Sequence, residues 1–117
     1  IYTGEDTLSL HDALPISMKH KQADMLIDVE LAKSAAYYAA AALDDGDEDV
    51  AAIGSLAKAA ASEACLQTAI HAIQIHGGIG FTWDNDTHLW FKRAKSSEVL
   101  LGDAHHHREL MMQRWAA

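Results

Sequence analysis

The sequence predicts an all-α protein built as an antiparallel helical bundle. Apolar residues recur at spacings of three and four over long stretches, which is the signature of amphipathic helices. Half of the 117 residues are hydrophobic and alanine is abundant, so a closely packed helical core can form. The sole proline lies at position 15, outside every long periodic run. A chain of this length holds one domain at most and buries a modest share of its surface, so dependence on a partner is expected.

The opening residues do not match the rest. Thr7-Leu8-Ser9-Leu10-His11-Asp12-Ala13-Leu14-Pro15-Ile16 is the translation of ACTCTTTCCCTACACGACGCTCTTCCGATC, which resembles the read-primer part of a common short-read sequencing adapter. Ile1-Tyr2-Thr3 fits the preceding part of the same oligonucleotide, with Gly4 and Glu5 arising from a variable index. Residues 1–17 are therefore expected to be a non-native, disordered tail, kept apart from fold reasoning. On this reading the natural sequence is cut just before Met18, and 18–117 is the domain.

From Met18 to Leu43, Met25, Val29, Ala32, Ala36 and Ala39 form a helical stripe, with Leu26 and Leu43 on or near it. Lys19, Lys21, Asp24, Asp28 and Lys33 fall largely elsewhere, as a solvated face requires. The run breaks at Asp44-Asp45-Gly46-Asp47-Glu48-Asp49. Gly46 suits the left-handed residue that ends a helix, and Asp47 suits the N-cap of the next. This acidic stretch reads as a solvated helix–helix turn, since it lacks the twelve-residue calcium-loop pattern. A second helix is predicted from about Asp49 to Ile75. Val50, Ile53, Leu56-Ala57, Ala60, Ala64, Ala69 and Ile73 form its mostly small-residue seam, and Gly54 marks a possible close approach of a neighbour. A third helix begins near Asn85 or Asp86 and continues toward Leu101. Gly102-Asp103 stops it and restarts a fourth, capped by Asp103 and reaching Trp115.

The net charge of −8 argues against nucleic acid or an anionic membrane as the main partner. No apolar run is long enough to span a bilayer, and the N-terminus lacks a secretory pattern. One cysteine, Cys65, excludes an internal disulfide, suits a cytoplasmic setting and reads as a small buried hydrophobe. Consecutive helical residues point in different directions, so His105-His106-His107 cannot jointly ligate one ion from a regular helix, and no metal is expected. His20 and His88 read as polar helix-face residues, and Trp83, Trp90 and Trp115 as core or subunit packing, with stacking on a bound ligand as the other reading.

The most informative segment is Gln74-Ile75-His76-Gly77-Gly78-Ile79-Gly80-Phe81-Thr82-Trp83. Three glycines within four positions allow backbone conformations and close approaches that side chains would block. Amides in such a turn can hydrogen-bond phosphate oxygens, although a glycine-rich helix end can equally be only a turn. The glycines follow a helix, so neither a P-loop nor a dinucleotide-binding fingerprint is present.

Gln74 to Phe81 resembles the "Q-x-x-G-G-x-G-F/Y" segment of acyl-CoA dehydrogenases. Lys92-Arg93-Ala94-Lys95 is similar to that family's "R-D/A-A-K" stretch at the same spacing downstream. Ala23-Asp24-Met25 with Glu30-Leu31-Ala32-Lys33 resembles its "A-D-M" and "E-x-A-R" helix, and Lys58-Ala59 and Glu63-Ala64 fit its next helix. The resemblance runs from Met18 to Ala117, without gaps from Gln74 to Lys95. The stretch Gly78 to Trp83, with His88-Leu89 and Leu100 to Asp103, is similar to the actinobacterial branch that includes steroid side-chain breakdown.

The resemblance implies an incomplete C-terminal helical domain, lacking its preceding helix, of an FAD-dependent enzyme that dehydrogenates acyl-CoA thioesters. It implies that Gln74, Ile75, His76, Gly77 and Gly78 contact the ADP part of FAD bound to an adjacent subunit. In many members the catalytic carboxylate precedes a glycine, six positions after the lysine of "A-K". Here that position is Leu101, which cannot accept a proton, and neither Glu98 nor Asp103 matches it. The base then lies outside this chain, or the subunit is non-catalytic within a homo- or hetero-oligomer. The family's adenine-contacting Thr and Gln correspond to Asp103 and His105, which depart from the pattern. The isolated chain is expected to be inactive; the competing class is a helical interaction module. The adapter origin predicts that DNA reads of the source will break at the Ile16–Met18 junction, and one uninterrupted genomic read across it would overturn that origin.

Overall fold

The computed structural model describes the backbone of residues 4–77 and 86–116, and side chains from residue 18 onward within those ranges. Four helices account for it: α1 (Gly4–Asp45), α2 (Val50–His76), α3 (Thr87–Val99) and α4 (Ala104–Ala116), with no strand among the described residues. Helix α2 is the hub, packing against α1, α3 and α4. Lys21 near the start of the α1 seam reaches Gln74 near the end of α2, so these two helices form an antiparallel hairpin.

Helix α1 begins earlier than the sequence predicts. Its backbone is helical from Gly4, through the stretch expected to be a disordered tail. Extending a helix that is already nucleated avoids the unfavourable first turn, and Leu8, Leu10, Ala13 and Leu14 between favour propagation.

The seam between α1 and α2 is narrower than the expected stripe. The α1 residues withdrawn from solvent are Lys21, Met25, Asp28, Ala32, Ala35, Ala39 and Ala42, alternating steps of four and three. That stride averages 3.5 residues, the spacing that keeps one narrow seam against a single partner. Val29 and Ala36 lie one step off it, and Leu26 and Leu43 are solvent-facing at 62% and 69% exposure.

The α1–α2 turn closes as predicted. Gly46 adopts φ 69° and its N–H donates to Leu43 O at 3.3 Å, while Asp47 N–H donates to Ala42 O at 3.0 Å. This pair of bonds satisfies carbonyls that the helix end would otherwise leave open. Asp47 Oδ1 then accepts from Asp49 N–H at 2.8 Å within the turn, but the N-cap of α2 is Asp49, which makes no side-chain capping bond, so the cap expected at Asp47 lies two residues ahead of the observed one.

The core is made of small side chains. Among the described residues, the buried hydrophobic ones are eight alanines and two isoleucines, Ile53 and Ile73. Each buried methyl or methylene group contributes about 0.8 kcal/mol, so an alanine core gives little per ordered residue. Meanwhile Leu31, Tyr37, Leu89 and Trp90 are all at least half exposed. The larger apolar side chains thus stand outside an alanine core.

Polar ties fasten the shorter helices. Lys58 Nζ donates to Ser62 Oγ at 2.6 Å and to the carbonyls of Ser97 and Glu98 at 3.2 Å each, placing an ammonium on the negative end of α3. Arg114 donates to Ala51 O and Ser55 Oγ, and Arg108 pairs with Glu63, fixing α4 along the first half of α2. Helix α3 ends at Val99, two residues short of the predicted limit, because Leu100 turns extended and Leu101 takes φ 62°.

Gly46 and Gly54 separate two effects of glycine. A Cβ at either meets nothing within 4 Å, so Gly54, expected to mark a close approach, marks none. Gly46→Ala is expected to destabilise by about 1 kcal/mol through its left-handed backbone. Gly54→Ala should stabilise by up to about 1 kcal/mol through helix propensity. Thermal melts followed by circular dichroism would check the opposite signs.

Candidate functional site

Helix α2 ends at the surface in the segment singled out by sequence. Gln74, His76 and Gly77 are exposed and Ile75 is half-buried; Gly78 and the rest of the stretch to Asn85 lie outside the described residues. Gly77 takes φ 67° and ψ −146°, a region essentially reserved for glycine, and a Cβ there would project into open space. Its own N–H is committed to Gln74 O, so this amide closes the helix and does not offer itself to an anion. Gln74 Oε1 accepts from Lys21 Nζ at 3.1 Å, which orients the carboxamide.

Beside this end opens a groove of about 1150 Å3 between α1, α2 and α3. One wall carries Val29, Ala32 and Ala36, the floor is largely alanine, and Trp90 and Arg93 of α3 stand on the far side. His76 reaches into it, so the glycine-rich helix end and the groove share one mouth. Cys65, expected as a buried hydrophobe, is exposed on this floor, where no described helix covers that face of α2. Trp90 is 69% exposed and Trp115 47%, so neither serves the core of the described chain. His88 departs the other way: it is buried, where a solvent-facing residue is expected.

The α3–α4 corner holds the remaining candidates. Leu101 is 82% exposed in a left-handed conformation that leucine rarely adopts. His107 Nε2–H donates to Leu101 O at 2.8 Å, fixing the imidazole tautomer, while its Nδ1 is buried without a partner. Gly102, at φ 104°, lies against the His106 ring where a Cβ would collide. Asp103 Oδ1 accepts from His106 N–H at 2.8 Å and caps α4 as predicted. Glu98, the other nearby acid, is paired with Lys95 at 2.8 Å. Among the described residues, no three His, Cys, Asp or Glu side chains are grouped to hold a metal ion. The same residues include no helix long and apolar enough to cross a membrane.

Residues 16–116 match the model of the acyl-CoA dehydrogenase C-terminal domain, and the chain belongs to that family. Among similar proteins is acyl-CoA dehydrogenase IpdE2 of Mycobacterium tuberculosis, 38% identical over 85 residues, covering 73% of this chain and 25% of the relative. Cyclohex-1-ene-1-carbonyl-CoA dehydrogenase of Geobacter metallireducens is 34% identical over 80 residues, covering 68% of this chain and 21% of its own length. Acyl-CoA dehydrogenase FadE34 of Mycobacterium tuberculosis is 38% identical over 87 residues, or 74% of this chain and 12% of the relative. The chain thus spans a quarter or less of each of these relatives. No solved structure matches it significantly.

The cap at Asp103 sets a pH dependence. The His106 N–H, followed by the charges of His105 and His106, holds its carboxyl below the ordinary aspartate range. A folded value below the unfolded one means the capping stabilisation is present at neutral pH and lost as pH falls through the folded value. Asp103→Ala should remove that acid-side loss of α4 helicity. An NMR titration showing the Asp103 carboxyl at its unperturbed value would contradict the cap.

Proposed function

We propose that this chain is the C-terminal helical portion of an FAD-dependent acyl-CoA dehydrogenase, acting in the cytoplasm as one subunit of a homo- or hetero-oligomer. In that role Gln74, Ile75, His76, Gly77 and Gly78 contact the ADP part of FAD bound to a neighbouring subunit. The observation carrying this reading is the exposed end of α2: a carboxamide oriented by Lys21, followed by a glycine-only backbone with open space where a side chain would stand. A dinucleotide can approach such a backbone closely, and the Gln74 NH2 can donate to it. When bound, the flavin supplies the hydride-accepting chemistry for α,β-dehydrogenation of the thioester. This chain's share is binding and orientation.

Proton abstraction does not belong to the described residues. Leu101 has no titratable group, Asp103 is held as a weakly basic carboxylate by its cap, and Glu98 is engaged by Lys95. That supports a base elsewhere in a longer polypeptide. It equally favours the second reading, in which this is a non-catalytic subunit or helical interaction module beside an active partner. The resemblance of Gly78 to Trp83, His88-Leu89 and Leu100 to Asp103 to the actinobacterial branch makes steroid or fatty acyl-CoA breakdown the setting to test first.

The purified 117-residue chain is expected to show no acyl-CoA-dependent reduction of an electron acceptor. Placed in the full-length polypeptide, Gly77→Val should weaken FAD retention roughly ten-fold, from about 1–3 kcal/mol of backbone strain. Flavin absorbance after gel filtration measures it; undiminished FAD content in a Gly77→Val protein would defeat the contact.

A further inference from the structure

We propose that the α3–α4 corner is a proton-controlled latch: neutral His107 holds Leu101 in its left-handed conformation, and a second proton on the imidazole releases it. The inference rests on the geometry of the corner and not on the flavin reading. Among the described residues, Leu101 alone of the non-glycines takes a positive φ, at 62°. Its side chain stands in solvent, so packing does not explain that conformation. What holds it is the 2.8 Å bond between His107 Nε2 and the Leu101 carbonyl. A carbonyl only accepts, so Nε2 carries the proton and, in the neutral ring, Nδ1 carries a lone pair. The strain of one left-handed leucine and the net gain from one hydrogen bond are of similar size, so the held and released arrangements are closely balanced.

The other ring nitrogen supplies the control. His107 Nδ1 is buried and meets no partner. A proton added there creates a charged N–H shut off from both water and an acceptor, a cost that is relieved when the ring swings out. Neighbouring charges add to that cost. On α4, His105, His106 and Arg108 are further basic groups, and the His106 ring stands edge-on to His107 at 5.3 Å. The acids are engaged elsewhere: Asp103 with the His106 N–H, Glu63 of α2 with Arg108, and Glu98 of α3 with Lys95. Glu109 lies two positions along α4, a spacing that turns it away from His107. Lys58 of α2 is bound to Ser62 and to the carbonyls of Ser97 and Glu98. Release re-aims the apolar run Val99-Leu100-Leu101, each more than half exposed, and so couples pH to what this corner presents at the surface.

The 117-residue chain carries the whole latch, and NMR reads both halves of it. Leu101 carbon shifts distinguish left-handed from extended backbone, and His107 ring nitrogen shifts report tautomer and charge. Both would be followed from about pH 8 to about pH 5, the range in which imidazole titrates. A neutral Nε2–H ring with left-handed Leu101 is expected at the upper end, and both should be lost together. The released fraction should rise by up to about ten-fold per pH unit, the limit for one proton. His107→Gln replaces the ring with a side chain that does not titrate, and should make Leu101 indifferent to pH over this range. Leu101→Gly removes the strain and should move protonation of the ring to lower pH. An imidazolium His107 beside a Leu101 that is still left-handed overturns the proposal. So does a ring that stays neutral to the lower limit, or a His107→Gln chain whose Leu101 still responds to pH. If His107→Gln does not fold, the wild-type spectra and Leu101→Gly decide. Flavin retention by the full-length polypeptide is a separate readout, so failure here leaves the FAD reading standing.

Discussion

Helix α2 approaches three neighbours through side chains that are mostly alanine and serine, and the bundle depends on that closeness. Small residues bring helix axes together and multiply dispersion contacts, but each removes little apolar area from water. The result is a frame whose geometry is well specified and whose hydrophobic stabilisation is thin. Larger apolar side chains, which would carry most of the burial in a self-sufficient domain, stand outside it on α1, α3 and α4. The relatives it resembles are several times the length of the matched region.

With so little from burial, helix ends carry an unusual share of the organisation. The bonds of Gly46 and Asp47 close the first hairpin, and Asp103 starts α4. His107 holds the corner between them and α3 by its bond to the Leu101 carbonyl. The strained leucine at that corner persists because bonds on both sides over-determine it. At the other end of α2, Gly77 combines a helix stop with an opening at the surface, which is why the same residue serves fold and proposed binding contact.

The helices, the left-handed Gly46 and the Asp103 cap were legible because their signals are local: periodicity, a turn glycine, an acid before a helix. The seam of α1 was only half legible. Met25, Ala32 and Ala39 are common to a 3.6 and a 3.5 period, while Val29 and Ala36 separate them, and only the partner's position decides. Cys65 and His88 were misplaced for the same reason, since exposure on α2 and α3 depends on which faces find a neighbour. The Lys58 clamp left no trace in sequence, because its acceptors are main-chain carbonyls with no residue signature. The glycine-rich segment was legible by resemblance; in the structure Gln74, His76 and Gly77 are exposed and Ile75 is half-buried, and the stretch from Gly78 falls outside the described residues.

The Lys58 ammonium spans 39 and 40 residues of chain to grasp the last turn of α3, and each of its three protons has an acceptor. The glycine-rich connection lies inside the loop it closes. A connection whose flanking helices are moored elsewhere is relieved of holding them together. Its residues can then drift, lengthen or specialise under selection for whatever touches them, with the scaffold indifferent to the outcome.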